Sequence, residues 1–304
     1  MRSYPCLQLP GRADYNHLTK PRKGYGPRNG LITQMPILWL RVALACYGVG
    51  LVYALVALTR TSDLFSRIAL HAASLGMALH FVSLTEAVLL SGQLTLASVH
   101  NSESLLAFLI MSVFMIVYVV YRTTSPGIVV FPLVFLLTFV AATGQQPFLL
   151  TSGVRTGWLF AHIALIFTGY AALVLSFGAS LLYLIQENSL KSKNPGRIFT
   201  RLPALQVIDE IGYRSLLLGF PFMTLGLVAG SVVAAAQYGR VDFLDPKVFL
   251  SVLMWAVYLI MVYTRWNAGW RGRRAAVLAS VAFVAAIVAW AANYFSGIHR
   301  FVSS

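Results

Sequence analysis

The chain has 304 residues, of which 58% are hydrophobic and 11% are charged, and its formal net charge is +14. Its mean hydropathy of +0.75 and its long unbroken apolar runs exclude a soluble protein, whose helices would show amphipathic stripes. The positive charge lies mostly in short loops, so it is a signal of membrane topology and gives no reason to invoke nucleic acid. The sequence therefore predicts an all-α, polytopic integral membrane protein.

About eight segments are candidates for membrane spans, since a helix needs ~20 apolar residues to cross the hydrocarbon core. The third, fourth and seventh segments are short, so the sequence does not define the residues at which they begin and end. In chain order the predicted spans are Ile37 to Leu58, Ile68 to Leu90, Leu105 to Tyr121, Gly127 to Ala142, Trp158 to Ile185, Leu216 to Tyr238, Val248 to Tyr263 and Ala275 to Phe295.

The orientation of these spans follows from the Lys and Arg content of the loops. The loops after the first, third, fifth and seventh spans are basic, so they are expected to face the cytoplasm. The opposite loops hold few positive charges, or balance Arg240 and Lys247 with Asp242 and Asp245. They are expected to face outward, together with both termini, in the bacterial inner (cytoplasmic) membrane.

The first 35 residues do not fit this topology. They carry six Lys or Arg residues against the single Asp14, and translocating so many cations to the outside is unfavourable. Either this tail is tolerated outside or, as we expect, translation begins at Met35. On this interpretation residues 1–35 are a basic tail of doubtful status, and residues 36–304 form one transmembrane domain.

Several classes of function are disfavoured by missing motifs. The two cysteines, Cys6 and Cys46, have no metal-binding or redox spacing. The chain also lacks a phosphate-binding loop, a hydrolase nucleophile motif and a metalloprotease motif. No internal repeat supports a secondary transporter, although Glu86 and His80 are polar groups at membrane depth. A generic transporter is therefore a distant third interpretation.

Two histidines stand out because the predicted topology brings them to one face. His162 lies about one turn inside the outer end of the fifth span, and His299 follows the eighth span. Neutral imidazoles are axial ligands of haem iron, so the pair suggests a haem site. Of the other histidines, His71, His80 and His100 are interpreted as packing or interface residues. His71 and His80 are nine positions apart, which is about 180° around a helix, so they do not share one iron.

The order of several motifs along the chain resembles a known family. The motifs are Gly157-Trp158-Leu-x-x-His162, Gly219-Phe-Pro-Phe-Met-Thr-Leu-Gly226-Leu-Val-Ala-Gly230, Asp245-Pro-Lys247, Gly269-Trp-Arg-Gly-Arg-Arg-Ala276, Asn293 and Gly297-Ile-His299. The chain is similar in these motifs to the CcsA/ResC and HemX-type cytochrome c assembly proteins. The similarity extends from the end of the first span to the end of the chain.

The resemblance implies a protein that handles haem b at the outer face of the membrane. It implies that His162 and His299 are the axial ligands of the iron. The outer loop from Tyr238 to Lys247 would be the haem platform, with Tyr238 and Phe243 as its aromatic residues. Asp245 and Lys247 would shape this loop through a mutual salt bridge or through a haem propionate.

The chain also departs from the family pattern. Asp242-Phe-Leu244 stands where the family has W-x-W, and Val248 replaces a glutamate. Tyr263 stands where a further family histidine is expected, two positions before Arg265, which argues against a second haem site in the membrane. The lost rings remove stacking surface, so the chain is closer to the HemX-like branch, whose members are linked to haem biosynthesis and its regulation.

Two functions follow from the resemblance. In the first, the chain presents haem for attachment to an apocytochrome c, together with a second membrane protein of the CcsB/ResB type. It would then be at most a subunit of a haem-attachment system, with no catalytic residue of its own. In the second, it is a regulator or scaffold of haem biosynthesis that contacts a haem-biosynthesis enzyme through cytoplasmic loops, above all Glu187 to Tyr213, without stable haem binding.

The basic loop after the seventh span has two possible roles. Arg265 to Arg274 includes Trp266 and Trp270, and this mixture is typical of a cytoplasmic anchor at the membrane interface. The same residues are suited to anionic lipid. The sequence does not choose between these roles.

Overall fold

The structure is a computed structural model that describes residues 27–60, 63–91, 99–144, 157–192, 202–238 and 246–295. Within these ranges the regular structure is helical throughout. The chain divides into two units, Met1–Gln34 and Met35–Ser304, and the helices from Asp63 onward lie wholly within the second. The helices are α1 (Pro27–Thr59), α2 (Asp63–Ser91), α3 (Val99–Tyr121), α4 (Gly127–Thr143), α5 (Gly157–Lys191), α6 (Leu205–Tyr238), α7 (Pro246–Trp266) and α8 (Arg273–Phe295).

The predicted all-α membrane fold is confirmed. Six helices, α1, α2, α3, α5, α6 and α7, are long and apolar enough over their described residues to cross a membrane. The fourth helix is also apolar but has only 17 residues, which is about 26 Å and so slightly shorter than a typical hydrocarbon core. Together with α8, the helices match the predicted spans in number and order.

The helices on the predicted cytoplasmic side are longer than the apolar runs that predicted them. α5 continues to Lys191, and α6 begins at Leu205 rather than at Leu216. The predicted cytoplasmic loop 187–213 is therefore helical at both of its ends, over residues 187–191 and 205–213. Pairs spaced i and i+4 stabilise these polar extensions: Glu187 accepts a hydrogen bond from Lys191 at 2.8 Å, and Glu210 accepts one from Arg214 at 2.6 Å.

The buried side chains form two main clusters. One lies among α1 to α6 and contains Tyr47, Phe114 and Phe131, and the other joins α5 to α8 around Met223 and Tyr258. Many large apolar side chains face outward instead, especially on α7 and α1. Outward-facing apolar side chains are expected for helices whose surroundings are lipid.

The pairing of α5 with α6 forms the part of the fold that matters most for function. The two helices are antiparallel and approach closely, because small residues line their contact. A Cβ atom on Gly219 would lie 3.0 Å from the Cβ of Ala172, and one on Gly169 would lie 3.4 Å from the Cβ of Met223. Small residues such as these glycines let the backbones of membrane helices approach closely. Tyr258 of α7 completes the contact by donating a hydrogen bond of 2.5 Å to the carbonyl oxygen of Gly169.

Candidate functional site

His162 lies in the second turn of α5, the helix that begins at Gly157. Its ring is partly buried against α6, and its Nδ1 atom is 2.7 Å from the carbonyl oxygen of Gly226. The two residues are 64 positions apart in sequence, so this is a tertiary contact created by the α5–α6 pair. The fold therefore holds the imidazole in one orientation.

This hydrogen bond also determines which ring nitrogen carries the proton. A carbonyl oxygen can only accept, so the Nδ1 of His162 must be the donor. In the neutral imidazole the other nitrogen, Nε2, then has a free lone pair. A neutral imidazole whose second nitrogen donates to a backbone carbonyl is the usual form of a histidine ligand to a metal. The ring is therefore prepared for ligation through Nε2.

Two glycines of α6 make room for this arrangement. A Cβ atom on Gly230 would lie 2.6 Å from Cε1 and 2.7 Å from Nδ1 of His162. One on Gly226 would lie 2.7 Å from the Cδ1 and 3.1 Å from the backbone nitrogen of Ile166. At these distances a Cβ atom on either glycine would force the neighbouring side chain or helix to move. The Gly226-x-x-x-Gly230 spacing thus places a flat glycine surface under His162 and under Ile166, the residue one turn further along α5.

Trp158 is a further candidate that the sequence-based site omitted. It precedes His162 by four positions on α5, so the two side chains share one face of the helix. The Trp158 side chain is 58% exposed, as is typical of tryptophan at a membrane interface. The i to i+4 spacing was the available signal for it. The glycines Gly226 and Gly230 gave a weaker signal, because their spacing predicts close packing but not the partner.

The backbone brings the end of α8 towards the level of His162. α8 is antiparallel to α5, since Gly272 lies beside Tyr183 and the ring of Phe283 stacks on that of Phe177 at 4.0 Å. Phe283 is 12 residues before the end of α8, or about 18 Å, and Phe177 is 15 residues after His162, or about 22 Å. The last residue of α8 is therefore roughly one helical turn short of the level of the imidazole.

The remaining predicted site residues are not described in full. His299, Phe243 and Asp245 lie outside the described residues. Tyr238 is the last residue of α6 and Lys247 the second residue of α7, but only their backbone is described. Tyr238 is eight residues beyond Gly230, or about 12 Å further along the helix. Their participation in a site with His162 stays a prediction.

Of the other described histidines, His80 is a packing residue, as interpreted from the sequence, whereas His71 is exposed. The ring of His80 is fully buried, with Nε2 at 2.8 Å from the Ser104 hydroxyl and Nδ1 at 3.4 Å from the Tyr47 hydroxyl. His71 is bonded to the carbonyl oxygen of Arg67 in the preceding turn of its own helix. For His100 only the backbone is described.

Comparisons with known proteins agree with this architecture. The family model described as "Cytochrome C assembly protein" matches residues 68–299, which is most of the chain and spans α2 to α8. The protein named cytochrome c biogenesis protein CcsA of Chlamydomonas reinhardtii is 33% identical over 48% of this chain and 39% of its own length. The protein of that name from Prochlorococcus marinus (strain MIT 9215) is 30% identical over 49% and 54%.

A third relative is similar over a longer stretch. The cytochrome c biogenesis protein CcsA of Pyropia yezoensis is 24% identical over 90% of this chain and 94% of its own length. In the first two relatives the match covers 39% and 54% of their own length. The breadth of the family match is decisive for classification: this chain belongs to the cytochrome c assembly protein family, of the CcsA type.

Proposed function

We propose that this chain takes part in cytochrome c biogenesis by binding haem at the outer face of the membrane. The observation that carries the proposal is the hydrogen bond from Nδ1 of His162 to the carbonyl oxygen of Gly226. It leaves Nε2 as the free ligand atom, in a ring that is held by backbone rather than by a mobile side chain. The family membership of the chain supports the same role.

Bound haem would supply an iron atom that accepts imidazole nitrogens as axial ligands. The described residues fit such a group on one side. His162 would ligate through Nε2, Gly226 would keep the proton on Nδ1, and Gly230 would leave space for the ring. Trp158 would add an exposed aromatic surface next to the ligand.

The second half of the proposed site rests on the resemblance. His299 would be the second axial ligand, and the loop from Tyr238 to Lys247 would support the porphyrin through Phe243 and the charges of Asp245 and Lys247. The partners in this proposal are an apocytochrome c and a second membrane protein of the CcsB/ResB type. The site would face outward from the cytoplasmic membrane, the orientation that the loop charges favour.

The test is a visible absorption spectrum of the purified protein in detergent, oxidised and reduced. We expect a spectrum of haem with two histidine ligands, and we expect it to be lost or shifted in His162→Ala and in His299→Ala. His71→Ala is the matched control, because among the described residues the hydrogen bond of His71 is to Arg67 of its own helix, and the spectrum of this variant should be unchanged. A folded wild type that takes up no haem on reconstitution would refute the proposal.

The alternative function is a regulator or scaffold of haem biosynthesis that acts from the predicted cytoplasmic side. One observation supports this alternative, because it shows that the residues on that side are held together. Asp209 of α6 binds both the Arg265 side chain of α7 and the backbone nitrogen of Gly272. This alternative predicts that His162→Ala supports normal maturation of c-type cytochromes in cells. The haem-binding proposal predicts that maturation falls at least ten-fold in the same variant.

A further inference from the structure

Residues 265–274, which comprise the end of α7, the connecting turn and the first residues of α8, carry a dense cluster of exposed positive charge. We name this segment the arginine turn. Arg271, Arg273 and Arg274 stand within four consecutive positions, and all three are exposed. None of them forms a salt bridge with another residue in the part of the chain that the structure describes. The turn therefore presents three guanidinium groups to its surroundings.

The carboxylate next to the turn does not neutralise these groups. Asp209 of α6 is engaged by a different arginine, Arg265, through two hydrogen bonds of 3.0 and 2.5 Å. The Arg265 side chain is only 8% exposed, and it also donates to the carbonyl oxygen of Trp270 at 3.1 Å. The buried Arg265 thus neutralises the negative charge of Asp209, so this carboxylate does not neutralise the positive charges of the exposed arginines.

The backbone of the arginine turn is fixed by its own contacts. Gly269 and Gly272 both have a φ of +62°, a conformation that strains other residues. The backbone nitrogen of Gly272 donates to Asp209 at 3.1 Å, and that of Trp270 donates to the carbonyl oxygen of Thr264 at 3.1 Å. The three arginines therefore project from a preorganised frame, which lowers the entropic cost of binding a ligand.

An aromatic residue places the turn at the level of lipid headgroups. Trp266 is 65% exposed at the end of α7, and its indole nitrogen donates to the Tyr213 hydroxyl at 2.8 Å. The ring of Tyr213 in turn lies 4.7 Å from the guanidinium carbon of Arg265. A fixed, outward-facing tryptophan at the end of an apolar helix is typical of the boundary between acyl chains and headgroups.

We propose that the arginine turn is a binding site for an anionic phospholipid. The guanidinium groups of Arg271, Arg273 and Arg274 would hold its phosphate, since guanidinium matches the oxygens of phosphate in geometry and charge. Trp266 would contact the upper part of an acyl chain. This lipid site is separate from the proposed haem site. The arginine turn and His162 lie at opposite ends of the helices α5, α6, α7 and α8.

The test measures lipid preference in the full-length protein. The protein is purified in detergent, supplied with equal amounts of phosphatidylglycerol and phosphatidylcholine, and examined by native mass spectrometry. We expect the wild type to retain phosphatidylglycerol at least ten-fold more than phosphatidylcholine. The variant R271Q/R273Q/R274Q should lose this preference while keeping its melting temperature, since all three side chains are exposed.

The matched control is R60Q/R67Q/R122Q, which removes three exposed arginines at or near the ends of α1, α2 and α3 on the same predicted face. It should keep the preference. Each of the single variants R271Q, R273Q and R274Q should lose part of it, which gives a result even if the triple variant does not fold. No preference in the wild type, or an equal loss in both triple variants, would overturn a defined site at the turn and leave only the general charge of that face.

Discussion

Nδ1 of His162 on α5 donates a hydrogen bond to the carbonyl oxygen of Gly226 on α6, over 2.7 Å. One contact thus sets three properties of the imidazole: its position, its rotation and the nitrogen that bears the lone pair. Because the acceptor belongs to the backbone, no side-chain substitution at Gly226 removes it directly. The arrangement can instead be disturbed through the space that the neighbouring glycine provides.

Gly230→Ala should displace His162 and reduce haem binding. The new Cβ would lie 2.6 Å from Cε1 of the imidazole, so the ring or the helix must move, and such overpacking typically costs about 1–3 kcal/mol. Gly212→Ala is the control on the same helix, since its Cβ would be 3.5 Å from the nearest atom, the Cβ of Ala179. We expect a weaker haem spectrum and a lower melting temperature only for Gly230→Ala; equal behaviour of the two variants would contradict the geometry.

Asp209→Asn should destabilise the protein far more than Glu210→Gln, although the two residues are adjacent. Asp209 is the partner of the buried Arg265 guanidinium, and Glu210 pairs with Arg214 at the exposed surface of α6. Leaving a buried charge without its partner costs about 3–5 kcal/mol, whereas an exposed pair is worth about 0–1 kcal/mol.

Thermal unfolding in detergent measures this difference, and the double variant D209N/R265M provides a check. Removing both charges should recover part of the stability lost in Asp209→Asn, because no unpaired guanidinium is left. A double variant as unstable as the single one would show that the apparent charge pair is not the source of the effect. Equal melting temperatures for Asp209→Asn and Glu210→Gln would also show that the pair of Asp209 with Arg265 is not the source of the effect.

The sequence predicted the helices well because apolar runs and loop charges are local signals. It predicted the ends of α5 and α6 less well, since Glu187 and Asp209 lie in polar stretches where hydropathy falls but the helix continues. The sequence also did not predict the burial and the ion pair of Arg265. The sequence places this residue in a basic loop, and only the packing of α6 on α7 reveals that it is buried and paired with Asp209.

For the candidate site, too, the sequence indicated the residue but not its partner in the fold. His162 could be selected from its position near the end of a span, but its Nδ1 partner is 64 residues away. Hydrogen bonds to a backbone carbonyl leave no trace in residue types, because every residue has one. What the sequence does hold is the Gly226-x-x-x-Gly230 spacing, which predicts a close helix contact without naming its partner.

Tyr258→Phe should weaken the contact of α7 with α5. The buried Tyr258 hydroxyl donates to the carbonyl oxygen of Gly169, and such bonds between membrane helices contribute about 0.6 kcal/mol on average and up to about 1.7 kcal/mol. Tyr263→Phe is the control on the same helix, since that side chain is 60% exposed. A melting temperature that falls for Tyr258→Phe alone is the expected result, and an unchanged one would mean that the hydroxyl contributes nothing measurable.

His80→Ala should reduce stability without changing a haem spectrum. The His80 ring is fully buried between α1 and α3, where it contacts the hydroxyls of Tyr47 and Ser104 and packs edge-on against Phe108. Its removal leaves a cavity and strands two hydroxyl partners, and losses of about 2–4 kcal/mol are usual for large-to-small substitutions in a core.

Comparing His80→Ala with His162→Ala distinguishes a histidine that stabilises the fold from one that ligates haem. His162→Ala should abolish or shift the haem bands with a smaller fall in melting temperature, since its ring is only partly buried. His80→Ala should do the reverse, and the bands normalised to folded protein should match the wild type. If His80→Ala removed the bands from a protein that still melts cooperatively, His80 would have to be counted among the residues that handle haem, and its interpretation as a packing residue would be wrong.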